Sequence, residues 1–186
     1  MTPLASSVSD LVRLRMHRPE AVAEAAARRQ RRPLVGPSGH LMIIAADHPA
    51  RGALAVGDRE LAMANRFELL ERLCLALSRP GVDGVLAGAD VLDDLLLLGA
   101  LENKVVIGSM NRGGLAGASF ELDDRFTGHR PVDLARLGFD AGKLLLRIDY
   151  DDPGSLDTMH TAARTIDAMA AHRLPVFVEP FLSRRV

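Results

Sequence analysis

The run GKLLLRIDYDD places an amine, a guanidinium and a carboxylate on one edge of an apolar segment. Of the 23 basic residues in the chain, only Lys104 and Lys143 are lysines. Lys143 opens this run, with Arg147 and Asp149 following at even spacing. If the run is a strand, Lys143, Leu145, Arg147 and Asp149 share one face, and Leu144, Leu146 and Ile148 share the other. The apolar face then packs on helices, and the mixed face points into the sheet's interior. A lysine there is costly unless it is paired or functional. A desolvated amine beside another cation is the kind that forms an imine or shuttles a proton. Arg147 would serve a substrate phosphate or carboxylate. The competing reading is an interior Lys–Asp or Arg–Asp ion pair that only fills space.

Three further positions belong to the same chemistry. In AADHPARG, Asp47 shares a face with Ile43 and Ala45, so it points inward as a general acid/base or as the charge that orders an amine; the alternative is a cap on the following turn. In VFVEP, Glu179 shares a face with Phe177 and is either a salt-bridge partner for Lys143 or Arg147, or a catalytic group. In SMNRGGLAGAS, Asn111 ends an apolar run and Arg112 sits beside Gly-flanked amides able to cradle an anion. That loop lacks the lysine and spacing of a nucleotide-binding loop. The six histidines, at 17, 40, 48, 129, 160 and 172, show no paired spacing, and Cys74 is the one cysteine. No metal site is expected.

The elements that would hold these residues alternate. LMIIAAD, GVLAG, KVVIGSMN, KLLLRIDY and PVFVEPF read as five short buried strands. Between them, RELAMANRFELLERLCLALSRPG carries Met63, Phe67, Leu70, Cys74 and Leu77 at helical spacing. DVLDDLLLLGALEN, VDLARLGF and LDTMHTAARTIDAMAAHRL are further helices, the last with Ser155 available as a cap. Residues 1–40 form an N-terminal helical arm whose cluster ARRQRRP reads as the basic last turn of a helix rather than a nucleic-acid contact. Strand–helix alternation implies a parallel sheet covered by helices. Asp47, Asn111, Asp149 and Glu179 all close their strands, as residues at the mouth of a barrel do.

The totals are consistent with this frame. A chain of 186 residues, 48% hydrophobic and 25% charged, is long enough for one sizeable core. A net charge of −1 offers no argument for nucleic acid or anionic lipid. A single cysteine suits a reducing compartment, the start lacks a secretory signal, and VLDDLLLLGAL is too short to span a bilayer. A cytoplasmic location is expected.

Taken in order, AADHPARG, FDAGKLLLRIDYDD and PVFVEPF resemble strand motifs of class I aldolases of the deoxyribose-phosphate and tagatose-bisphosphate type. They resemble most closely an actinobacterial (β/α)8 family linked to inositol catabolism. The likeness runs from about residue 40 to the end. It implies carbon–carbon bond cleavage through a lysine imine, with Asp47, Lys143 and Glu179 at the active-site mouth. It also implies that Lys143 is either the imine lysine or an accessory one, since the imine lysine of tagatose-bisphosphate enzymes lies on the strand after the Glu179-like one. The paired tyrosines of that family are absent here, where Arg147–Ile148 or Asp149–Tyr150 stand.

The sequence therefore predicts a (β/α)8 TIM barrel, incomplete, with about five strand–helix units over residues 41–186 behind the helical arm. The expected activity is that of an aldolase-like carbon–carbon lyase on a phosphorylated keto sugar or keto-sugar acid. Lys143, Asp47, Glu179 and Asp149 are the catalytic candidates, and Arg147, Arg112 and Asn111 would bind substrate. No cofactor is expected, nor a nucleic-acid or membrane partner; a homo-oligomer is compatible with this reading. The rival is a non-catalytic α/β fragment or partner-binding module.

Overall fold

The computed structural model describes residues 3–111 and 125–182. Five strands, β1 (Ile43–Ala46), β2 (Gly84–Ala87), β3 (Val105–Ser109), β4 (Ala141–Ile148) and β5 (Val176–Leu182), pair in sequence order, all parallel. Among the described residues six α-helices accompany them: α1 (Asp10–His17), α2 (Ala21–Arg28), α3 (Arg66–Leu77), α4 (Ala89–Leu97), α5 (Pro131–Arg136) and α6 (Gly154–Ala171). The sheet curls into a half-barrel. The expected (β/α)8 TIM barrel, incomplete at about five units, is thus corrected to a five-stranded half-barrel. Alternation of strands and helices dictates parallel neighbours, but strand number and closure are separate properties, and here β1 and β5 are the two edges of an open ladder.

The two faces of the sheet carry different side chains, as alternation demands. The convex face and the helices share one apolar cluster, which includes Val85, Ala87, Val106, Leu144, Leu70, Leu92, Leu95 and Met169. Fully burying each such large side chain contributes about 1.5–3 kcal/mol. Near the amino ends of the strands the concave face is apolar, with Val105, Ile107 and Ala141 packing against Leu34, Leu41, Ile43 and Leu86. One layer higher, at the carboxyl ends, the register brings Ser109 beside Lys143. Polar side chains thus join the apolar ones at that level.

Local signals set the helix ends. The Asn65 carboxamide oxygen accepts the Phe67 and Glu68 amides at 3.0 and 3.3 Å and starts α3. Gly99, with φ +67°, takes the left-handed turn after α4. Ser155 lies inside α6 rather than at its cap; its hydroxyl donates to the Asp149 carbonyl at 2.6 Å and accepts the Asp149 amide at 2.9 Å.

The N-terminal helices pack onto α4: the Leu97 carbonyl accepts the Leu4 and Ala5 amides, and Leu11, Ala21 and Ala25 join the convex cluster. The arginine cluster differs from its sequence reading. Only Arg28 occupies the last turn of α2. Arg29 instead runs buried under the sheet, donating to the Lys104 and Gly138 carbonyls and to Asp140, while Arg31 reaches Asp140 and Arg32 reaches Asp83. Along β5, Phe177, Val178, Phe181 and Leu182 are exposed. Among the described residues, no helix is long and apolar enough to cross a membrane.

A partly buried acid on α4 gives the fold a pH dependence. Burial pushes the Asp93 carboxyl up to about 6, with Asp94 and Asp90 adding to the rise and Arg15, at 3.3 Å, opposing it. His129 Nε2 stands 4.0 Å away, and burial pulls that imidazole down. Between pH 4 and 6 the folded carboxyl keeps a proton that the unfolded one has lost, so this group makes stability fall as pH rises through that window. Asp93→Asn is expected to flatten the slope and to raise stability at pH 7 by about 1–2 kcal/mol, read by urea unfolding at stepped pH.

Candidate active site

Lys143 projects from the concave face of β4 at the level where β3 ends. Its side chain is only 5% exposed, and its ammonium donates to Asp47 Oδ2 at 2.7 Å and lies 2.5 Å from Glu179 Oε2. Both are short, charge-assisted contacts. Three elements supply this triad. β1 ends at Ala46, so Asp47 is the first residue beyond it, at the head of the 3₁₀ turn His48–Arg51. Gly52 then turns in the left-handed region, φ +80°, sending the chain away and leaving the Asp47 carboxylate over the sheet. Glu179 pairs with Leu145 in the β4–β5 register and reaches back one layer to Lys143.

Ser109 completes the layer. Buried at 6% exposure, its hydroxyl lies 3.4 Å from Asp47 Oδ2 and 3.2 Å from the Asn111 carbonyl. Sequence reasoning missed it. The signal was present, because Ser109 shares a face with Ile107 at the end of an apolar strand and so points inward beside Lys143. His48 Nδ1 sits 3.6 Å from Asp47 Oδ1 on the more exposed side.

The other candidates fall at different distances from this centre. The Asn111 carboxamide is committed to the backbone of β4, donating to the Leu145 carbonyl and accepting the Leu145 amide, both at 2.9 Å. The ladder between β3 and β4 ends at Ser109 and Lys143, so Asn111 continues it with a side chain and fixes the strand between Lys143 and Arg147. Asn111→Ala is expected to leave both Leu145 groups unsatisfied, at a cost of about 2 kcal/mol in urea unfolding. Arg147 lies on the same face as Lys143, further towards the carboxyl end, its guanidinium carbon 5.5 Å from the Phe181 ring centroid. Asp149 lies just past β4 and is buried; its carboxylate accepts the Asp151 amide at 3.1 Å, which orders the turn into α6. Arg112 lies outside the described residues. Lys104, the other lysine, is at the opposite end of the sheet, donating to the Val82 carbonyl.

The arrangement offers a nearly buried amine with two carboxylates in proton-transfer reach. It also has an open side, since the Glu179 side chain is 48% exposed. Among the described residues, no group of three His, Cys, Asp or Glu side chains is placed to hold a metal ion.

No curated protein matches the chain. Among solved structures, it is similar to the crystal structure of Cgl0159 from Corynebacterium glutamicum, with 53% sequence identity and a TM-score of 0.94. That match takes in 100% of this chain, which spans 63% of the length of the Cgl0159 chain. The family model described as Cgl0159-like matches residues 39–186, from just before β1 through β5. The chain belongs to the Cgl0159-like family.

Proposed function

We propose that the protein is a class I aldolase-like carbon–carbon lyase acting through an imine on Lys143. The observation that carries the reading is the Lys143 ammonium, 5% exposed, held between Asp47 at 2.7 Å and Glu179 at 2.5 Å at the carboxyl ends of the strands. Asp47, largely covered, and Glu179, open to solvent, each give the amine an acceptor for its proton, as proton transfer to and from a lysine requires. Lys143 is the lysine this chain places there, Lys104 being at the other end of the sheet.

In the proposed reaction, Lys143 passes a proton to a flanking carboxylate and its nitrogen attacks the ketone carbon of the substrate. The carbinolamine takes up a proton and loses water, leaving an iminium. A carboxylate then removes the proton of the hydroxyl group β to that carbon. The carbon–carbon bond breaks, its electrons enter the iminium, and an aldehyde departs. The resulting enamine takes a proton back, and water releases the second product and restores the amine. This chemistry uses no cofactor. Arg147, on the same face, suits the anionic group of a phosphorylated keto sugar or keto-sugar acid. Reduction with borohydride in the presence of such a ketone, followed by peptide mass mapping, tests the reading. An adduct on Lys143 supports it, and no adduct overturns it.

The rival, a partner-binding module, is favoured by one feature, the exposed Phe177, Val178, Phe181 and Leu182 on edge strand β5. It requires that substitution of Lys143 change stability alone.

A further inference from the structure

The carboxyl ends of β2 and β3 enclose a cavity of about 260 Å³ beside the lysine site. Its walls include Ala50, Gly88 and Asp90 at the start of α4, Ser109, Thr127 and Gly128. Ser109 joins it to the triad, being the register neighbour of Lys143 and lying 3.4 Å from the Asp47 oxygen that Lys143 binds. A ligand in the cavity is therefore one side chain away from the amine.

Gly88 keeps this space open. Its backbone, at φ −66° and ψ 159°, is one that any residue adopts, so glycine is not there for conformational reasons. A Cβ at this position meets Asp90 Oδ1 at 3.1 Å and Ala50 Cβ at 3.5 Å, so a larger side chain would compete with the cavity's occupant.

The polar groups around the cavity are of both kinds. Asp90 offers a carboxylate, held by Arg66 at 2.5 Å. The first-turn amides of α4 are donors, and Gly88 as N-cap has no side chain to satisfy them. The Ser109 hydroxyl both donates and accepts. An anion would be opposed by Asp90, and a cation by the helix amides and Arg66. Hydroxyl groups satisfy both sets. The volume lies below the roughly 300–1,000 Å³ of pockets for drug-sized ligands, which suits a short arm rather than a whole sugar phosphate.

We propose that this cavity binds the uncharged, hydroxylated arm of the carbonyl substrate, with the carbonyl at Lys143 and the anionic end towards Arg147. The inference rests on the imine reading for the carbonyl's position, but its binding chemistry can be tested alone. Ligand-observed NMR would compare dihydroxyacetone with acetone, with inorganic phosphate as competitor, on the wild type, Gly88→Val and Asp90→Asn. The expected result is that dihydroxyacetone binds about tenfold more tightly than acetone, that Gly88→Val removes the difference, and that phosphate does not displace the ketone. Asp90→Asn keeps the size of a side chain that is 64% exposed, so its expected several-fold loss does not depend on Gly88→Val folding. Equal affinity for the two ketones, a wild-type preference in Asp90→Asn, or displacement by phosphate would overturn the proposal. Borohydride trapping separates the two readings: a retained preference without an adduct sinks the imine and leaves the cavity, whereas equal trapping of both ketones does the reverse.

Discussion

Lys143→Met is expected to abolish borohydride-trapped adduct and to lower any aldol cleavage by at least about 10³-fold. The fold should survive. Glu179 is half exposed and can be solvated once its partner is gone, and Asp47 keeps His48 and Ser109 nearby. The stability loss should therefore stay within about 1–2 kcal/mol, less than the cost of orphaning a fully buried charge. Lys143→Arg sharpens the comparison. A guanidinium keeps a positive charge against both carboxylates but does not form an imine. The catalytic account expects Lys143→Arg to be folded and as inert as Lys143→Met. If the lysine only fills the sheet with an ion pair, Lys143→Arg should be nearly neutral in every assay, and both variants should leave trapping untouched.

The largest stability effect is expected far from that site. Asp140→Ala should cost about 3–5 kcal/mol in urea unfolding, because it strips the counter-charge from a buried guanidinium. The Arg29 side chain is 1% exposed, and burial pulls it below its ordinary value, with Asp140 the main opposing influence. Asp140 also accepts the Val106 amide at 2.9 Å and two contacts from Arg31. One carboxylate thus joins the segment after α2 to the amino ends of β3 and β4. Asp140→Asn keeps an acceptor for Val106 and should lose about 2 kcal/mol. A loss below about 1 kcal/mol for Asp140→Ala would mean that Arg29 finds water or another acceptor when its partner is removed.

Much of this architecture was legible because short apolar runs closed by polar residues mark buried parallel strands. They marked all five strands, and two-residue alternation put Lys143, Leu145 and Arg147 on one face with Leu144 and Leu146 on the other, where the convex core holds them. It also pointed Asp47 and Glu179 inward, and they meet on Lys143. The five units were counted, but not the curvature they adopt, because each strand–helix unit specifies its neighbour and not the closure of the sheet. An open five-strand half-barrel therefore stands where the (β/α)8 class was expected. Side-chain commitments across long sequence separations were equally hidden. The Asn111 carboxamide meets both backbone groups of Leu145, 34 residues on, a pairing that no local pattern announces. The arginines after α2 read as the basic last turn of a helix, since nothing local announces that Asp140, over a hundred residues later, pairs with Arg29.

The measurement that bears most directly on the central claim is the position of a reduced adduct. The protein would be incubated with a phosphorylated keto sugar, reduced with borohydride, digested, and its peptides weighed. The account predicts a mass gain equal to the reduced substrate, confined to the peptide carrying Lys143 and absent from Lys143→Arg. An unmodified Lys143 peptide under conditions that label a known imine-forming enzyme would contradict it, and would leave the lysine between Asp47 and Glu179 either as the accessory lysine or as an ion pair that ties the ends of β1, β4 and β5 together.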